Sequence, residues 1–147
     1  TEFEAIKMAG FAEATRNAQV AAIIALINAG SAGGKIKYYN GTQPVTNGAA
    51  TTLIGTQTLA TSSFGAVANG TALAAAVPAT PTSVAVGNIT WARVTDSDDN
   101  FVMDVKAGIA GTNGAEIILS VAAVGSIGAD IELASFRLTD GNAGVVA

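Results

Sequence analysis

The chain contains no cysteine and no histidine. The first absence removes disulfides, thiolate nucleophiles and thiolate metal ligands. The second removes the Ser-His-Asp triad, the imidazole metal ligand and the one side chain that titrates near neutrality when unperturbed. Aromatic residues make up 5% of the chain and charged residues 12%, the latter about half of ordinary usage. The seven basic residues, Lys7, Arg16, Lys35, Lys37, Arg93, Lys106 and Arg137, are scattered, and eleven acids leave a net charge of −4. A nucleic-acid partner is therefore not expected. The longest apolar run, 20–27, is far too short to span a membrane, so no membrane partner is expected either. The opening TEFEAIKMAG lacks the basic n-region of a signal peptide.

What is present is alanine, about a fifth of the 147 residues, in a chain that is half hydrophobic. Alanine fills space thinly, so the core must come from Val, Ile, Leu and a few rings. A lightly charged surface of Thr, Ser, Asn, Gly and Ala suits a protein packed against neighbours. Residues 11–29 read as one helix, with Val20, Ile23, Ile24 and Ile27 on one face. Gly30 is placed to be its left-handed C′ residue. The second half of this helix is apolar almost all round. Either it is one layer on a sheet, or it is an arm buried between subunits.

After Gly34 the period changes to two. In KIKYYN, Ile36 and Tyr38 share one face, and Lys35, Lys37 and Tyr39 the other. Further strands are expected over Leu53–Ala60, Val84–Thr95, Phe101–Lys106, Ile117–Val121 and Ile131–Phe136, and Asn69-Gly70 is a hairpin signal. With no internal repeat, the expectation is a mainly β fold. It is an antiparallel β-sandwich or jelly-roll-like barrel with one N-terminal α-helix: residues 1–34 as arm and helix, 35–147 as the β-sandwich domain.

The segment Asp96-Ser97-Asp98-Asp99-Asn100 begins like a calcium-binding EF-hand loop. Phe101 stands where the loop needs Gly, Ala107 where it needs a bidentate Glu, and the flanks alternate as strands. It reads as a solvated hairpin turn, with no carboxyl pKa raised for acid/base work. Trp91 and Tyr38 read as core, and Tyr39 as the better candidate for a contact surface. The glycine-rich pieces match no nucleotide-binding loop. No catalytic, cofactor or metal site is expected, and the chain is expected not to be an enzyme.

An order of motifs carries a resemblance. TRNAQVAAIIALINAGSAGGKIKYYNGTQP precedes a Thr/Ala/Gly-rich tract, which precedes GNITWARVTDSDDNFVMDVKAGIAGTNGAEIIL. This resembles a family of small structural proteins encoded among the virion genes of tailed bacteriophages, of the head decoration or cement type, or the head-fibre or tail accessory type. Asp99 stands where that family often has Gly. The resemblance implies a non-enzymatic capsid-decorating protein of the virion, assembled in the bacterial cytoplasm. Its partners would be other copies of itself, a trimer being one form, and the major capsid protein or another virion protein. The alternative is a tail or fibre component that binds a host receptor or glycan, with Tyr39 and the YNGTQP loop as the contact. Expected interface residues are Val20, Ile23, Ile24, Ile27 and Tyr39, and Ile24→Asp is expected to abolish assembly.

Overall fold

A computed structural model of the chain describes residues 10–139. The first element, α1, spans Glu13–Ile27. Ala12 precedes it without a side-chain cap, and Glu13 places a negative charge in the first turn, where the helix dipole favours it. The helix ends as the Asn28 amide donates to the Ile24 carbonyl at 3.0 Å. Gly30 is not left-handed. Its requirement is steric instead: a Cβ there would lie 1.7 Å from Ser97 Oγ, so the exit from the helix passes directly against the turn around residue 97.

Among the described residues eight strands follow: β1 Lys35–Asn40, β2 Leu53–Thr58, β3 Thr71–Leu73, β4 Gly87–Thr95, β5 Phe101–Ile109, β6 Ile117–Leu119, β7 Ala123–Val124 and β8 Leu133–Thr139. They are hydrogen-bonded in the order β2-β1-β4-β5-β6-β8-β3, with β7 added to β4. The sheet is mixed and not wholly antiparallel as expected, since β5 and β6 run parallel while every other pair is antiparallel. The strands β2-β1-β4-β5 and β6-β8-β3 contribute to one core. Ile36, Tyr38, Val94 and Val105 enter it from the first group, and Ile117, Leu119, Phe136 and Leu138 from the second. The fold is mainly β, of sandwich type, with one N-terminal helix, as the alternating pattern implied.

The two-residue turn at Asn69-Gly70 also forms as expected. Both residues have positive φ, and Ala68 and Thr71 exchange both backbone hydrogen bonds across it. That is the chemistry Asn-Gly suits, because Asn tolerates and Gly prefers the left-handed region.

The helix is one layer of this same core. Val20 and Ile27 have no exposed surface, and Ile23 and Ile24 are half-buried against the cluster. Asn17 Oδ1 accepts from the Gly70 amide at 2.7 Å, and Asn28 Oδ1 accepts from the Ser63 hydroxyl at 2.6 Å. These bonds pin both ends of α1 to the β region. Two expected contact residues, Val20 and Ile27, thus have nothing left to offer a neighbour, and Leu26, at 58% exposure, is the large apolar side chain that α1 shows to solvent. Among the described residues no helix is long and apolar enough to cross a membrane.

Candidate functional site

Three regions of the β4–β5 hairpin carry the chain's chemistry: its outer face, its tip and its base. On the outer face Tyr39 lies opposite Trp91 in the register, and their rings stack at 4.5 Å and 15°. Arg93 follows Trp91 on the same face, its guanidinium 5.4 Å from the ring centres of both Trp91 and Phe101. Opposite Arg93 in β5 is Asp104. Arg93 Nε donates to Asp104 Oδ1 at 2.8 Å and Nη2 to Oδ2 at 3.1 Å, a two-pronged pair, and Arg93 Nη2 also donates to the Gly48 carbonyl at 2.8 Å. The hydrogen bond to Asp104 raises the Arg93 pKa above its usual value.

The loop 41–52 closes over this face. The Asn47 amide donates to Asp104 Oδ2 at 3.1 Å, and the Trp91 indole donates to the Asn40 carbonyl and to Thr51 Oγ1, each at 3.0 Å. Tyr39 does point away from Ile36 and Tyr38, as its phase requires. The loop and Trp91 nevertheless leave it only 8% exposed, so it is a buried stacking residue and not an open contact surface. Tyr38, its neighbour, is fully buried, its hydroxyl has no hydrogen-bond partner among the described residues, and burial pushes its phenol up from its usual pKa.

The tip is a turn, as expected, but one of its acids is not solvated. Asp96 is 5% exposed. Its Oδ1 accepts from the amides of Asp98 and Asn100, each at 2.9 Å, and its Oδ2 from the Asn100 side chain at 2.8 Å. Those donors, the Asn100 side chain first, hold its carboxyl below the usual carboxylate range. Asp99, with φ +67°, points outward and meets Lys37 Nζ at 2.9 Å and Lys35 Nζ at 3.1 Å, which lower its pKa as well. Among the described residues no three acidic side chains gather where they could hold a metal ion.

The base of the hairpin is different in kind. Pairing of β4 with β5 ends at Trp91 opposite Lys106, and from Ala107 onward β5 pairs with β6. Meanwhile the start of β4 pairs with β7, and the Ile89 amide donates to the Ala122 carbonyl at 2.9 Å. The two strands separate, and the wedge between them is a mostly apolar groove of about 500 Å³. Ile89, Ala107, Ile109 and Val121 line it, with Lys106 and Thr112 among its polar members. Ile109 and Val121 are more than half exposed, and so are Val84 and Val86, which precede β4 in the chain, and Ile127, which follows β7. Backbone bonds from Ser83 to Ala129 and from Gly128 to Ser83 tie those segments together. Strand alternation could not reveal this groove, because it depends on β5 changing partners.

Comparison with protein-family models, curated proteins and solved structures returns no match for this chain.

Proposed function

We propose that the chain is a non-enzymatic structural protein of a bacteriophage particle, one that decorates or cements the capsid through contacts between subunits. The observation that carries this reading is the polarity of the β4–β5 hairpin. The charged tip gathers Asp96, Asp98, Asp99, Lys35 and Lys37, while the other end exposes Ile109 and Val121 at the groove, and Val84, Val86 and Ile127 on the segments before β4 and after β7. Exposed apolar side chains concentrated in this way mark a surface that is covered in an assembly. The motif order of the sequence supplies the kind of assembly. The partners are neighbouring copies of the chain and the major capsid protein, and the site of action is the virion.

The contact face moves, relative to the sequence expectation, from α1 to the base of the hairpin. Val20 and Ile27 stabilise the subunit, and Ile24→Asp would damage the core before it reached any neighbour. The alternative, a tail or fibre component binding a receptor or glycan, relied on an open Tyr39, and that ring is covered.

The test uses Val121→Asp and Ile109→Asp, which place a charge on exposed positions. Both variants are expected to fold with an unchanged thermal midpoint and to fail to join particles or to associate. Incorporation of both at the level of the unaltered chain would refute the proposal.

A further inference from the structure

The sequence contains four Asn-Gly pairs, at Asn40, Asn47, Asn69 and Asn113. Such a pair can convert itself. The glycine nitrogen attacks the side-chain carbonyl carbon of the asparagine, its proton passes to water, and ammonia leaves. Water then opens the cyclic imide to aspartate or isoaspartate. The step needs a glycine amide free to lose its proton and an asparagine side chain free to turn onto it.

Three of the four pairs are held. The Gly48 amide donates to the Val45 carbonyl at 2.7 Å, and the Gly70 amide to Asn17 Oδ1 at 2.7 Å. Asn40 ends strand β1, half-buried, and its Oδ1 accepts from the Thr52 amide at 3.1 Å, a bond that any rotation of the side chain breaks. The fourth pair is open. Asn113 and Gly114 are exposed, and among the described residues neither the Asn113 side chain nor the Gly114 amide has a hydrogen-bond partner. Among the described residues nothing lies within 4 Å of where a Gly114 Cβ would stand. In addition, Lys106 Nζ donates to the Asn113 carbonyl oxygen at 2.7 Å.

That oxygen belongs to the peptide group whose nitrogen must be deprotonated. The negative charge of the deprotonated amide spreads onto it, and the ammonium stabilises that charge through a charge-assisted hydrogen bond. We propose that Asn113 is a site of spontaneous deamidation, with Lys106 as the positioning residue that activates the Gly114 nitrogen. The product places a carboxylate beside Lys106 and Thr112, both of which line the apolar groove. Conversion therefore adds a negative charge beside the groove, slowly and irreversibly.

The full-length folded chain is incubated at mildly alkaline pH, and its peptides are mapped by mass for replacement of an amide by an acid. Asn113 is expected to convert first and the other three pairs to lag. Denaturation in urea should bring all four to similar rates. Lys106→Gln is expected to slow Asn113 roughly three- to tenfold, the rate equivalent of one exposed charge-assisted hydrogen bond. Lys106→Arg should restore most of the rate, which a merely structural role would not predict once both variants melt like the parent. Conversion of Asn40, Asn47 or Asn69 ahead of Asn113 in the folded chain would overturn the proposal. So would loss of ammonia without gain of water, with residues 106 and 113 in one cross-linked peptide, since that product would make Lys106 the nucleophile.

Discussion

Replacing Ile27 with Ala separates a helix that belongs to the subunit from a helix that serves a neighbour. Ile27 has no exposed surface, and its Cγ2 lies where a Cβ on Gly34 would need to be, so the side chain fills the angle between the end of α1 and the entry to β1. The substitution deletes three carbons. Their transfer out of water accounts for about 2.4 kcal/mol, and the cavity left behind raises the total to about 3–4 kcal/mol. For a chain of this size each kcal/mol lowers the thermal midpoint by about 3 °C, so the variant should melt roughly 10 °C below the parent. The assay is circular-dichroism melting of the isolated chain over a hundredfold range of protein concentration. The drop should be the same throughout that range, because every group Ile27 touches lies in its own chain. Leu26→Ser, one residue earlier but exposed, should shift the midpoint by about 1–2 °C at most. A negligible shift for Ile27→Ala, or one that appears only at concentrations where the chain associates, would refute the placement of α1 in the core.

Two further perturbations address the hairpin. Asp104→Ala leaves the Arg93 guanidinium against Trp91 and Phe101 without its carboxylate, and leaves the Asn47 amide without its acceptor. With the Asp104 side chain only 3% exposed, the loss should be about 3 kcal/mol, measured by urea unfolding, with faster amide exchange at 47–48 as the 41–52 loop loosens. At the tip, Asp99→Gly gives up two ion pairs to lysines but relieves a left-handed backbone, and should leave stability at neutral pH nearly unchanged. The difference appears in acid. The Asp99 carboxyl has a lowered pKa when folded, so its stabilisation is complete above the ordinary carboxylate range and is lost as pH falls through the folded value. The parent should therefore lose thermal midpoint more steeply than Asp99→Gly between neutral and acidic pH, and parallel curves would sink that account.

The strands β1, β2, β4, β5, β6 and β8, the helix and the Asn69-Gly70 turn were legible in the sequence because each rests on local chemistry: a period of two, a period of 3.6, and residues that accept positive φ; the two- and three-residue strands β7 and β3 are too short to show a period. What could not be read is what covers each face. Tyr39 takes the side of β1 that its phase dictates, yet the 41–52 loop folds over that side through bonds to Trp91, Arg93 and Asp104 that join residues about 40–60 positions apart. Asp96 looked like one more solvated turn acid, but three donors within four residues bury and satisfy it. Gly30 looked like a helix cap, and its real constraint is Ser97, far along the chain. The groove is the extreme case. It exists because β5 exchanges β4 for a parallel partner, and no pattern within β5 announces that exchange.

The same exchange explains how so few charges can give the subunit a direction. Strand β4 has nine residues, a span of roughly 26 Å from Gly87 to Thr95 at ordinary strand rise. At its far end, Asp96 and Asp99 organise the turn and draw in Lys35 and Lys37. At its near end, β7 occupies the edge of β4 that β5 vacates, and the side chains of Ile109 and Val121 are left facing open space. An uninterrupted β4–β5 ladder would bury that edge and close the groove. Such a subunit would keep its charged tip and lose its apolar base. The partner change at Ala107 is therefore the structural step on which the proposed contact face depends. It sits beside Gly108, where a Cβ would lie 2.5 Å from Thr112 Oγ1. Gly108 lets the 109–112 turn fold back tightly enough for β6 to run parallel to β5, so a side chain at this position should disturb the groove while leaving the hairpin tip intact.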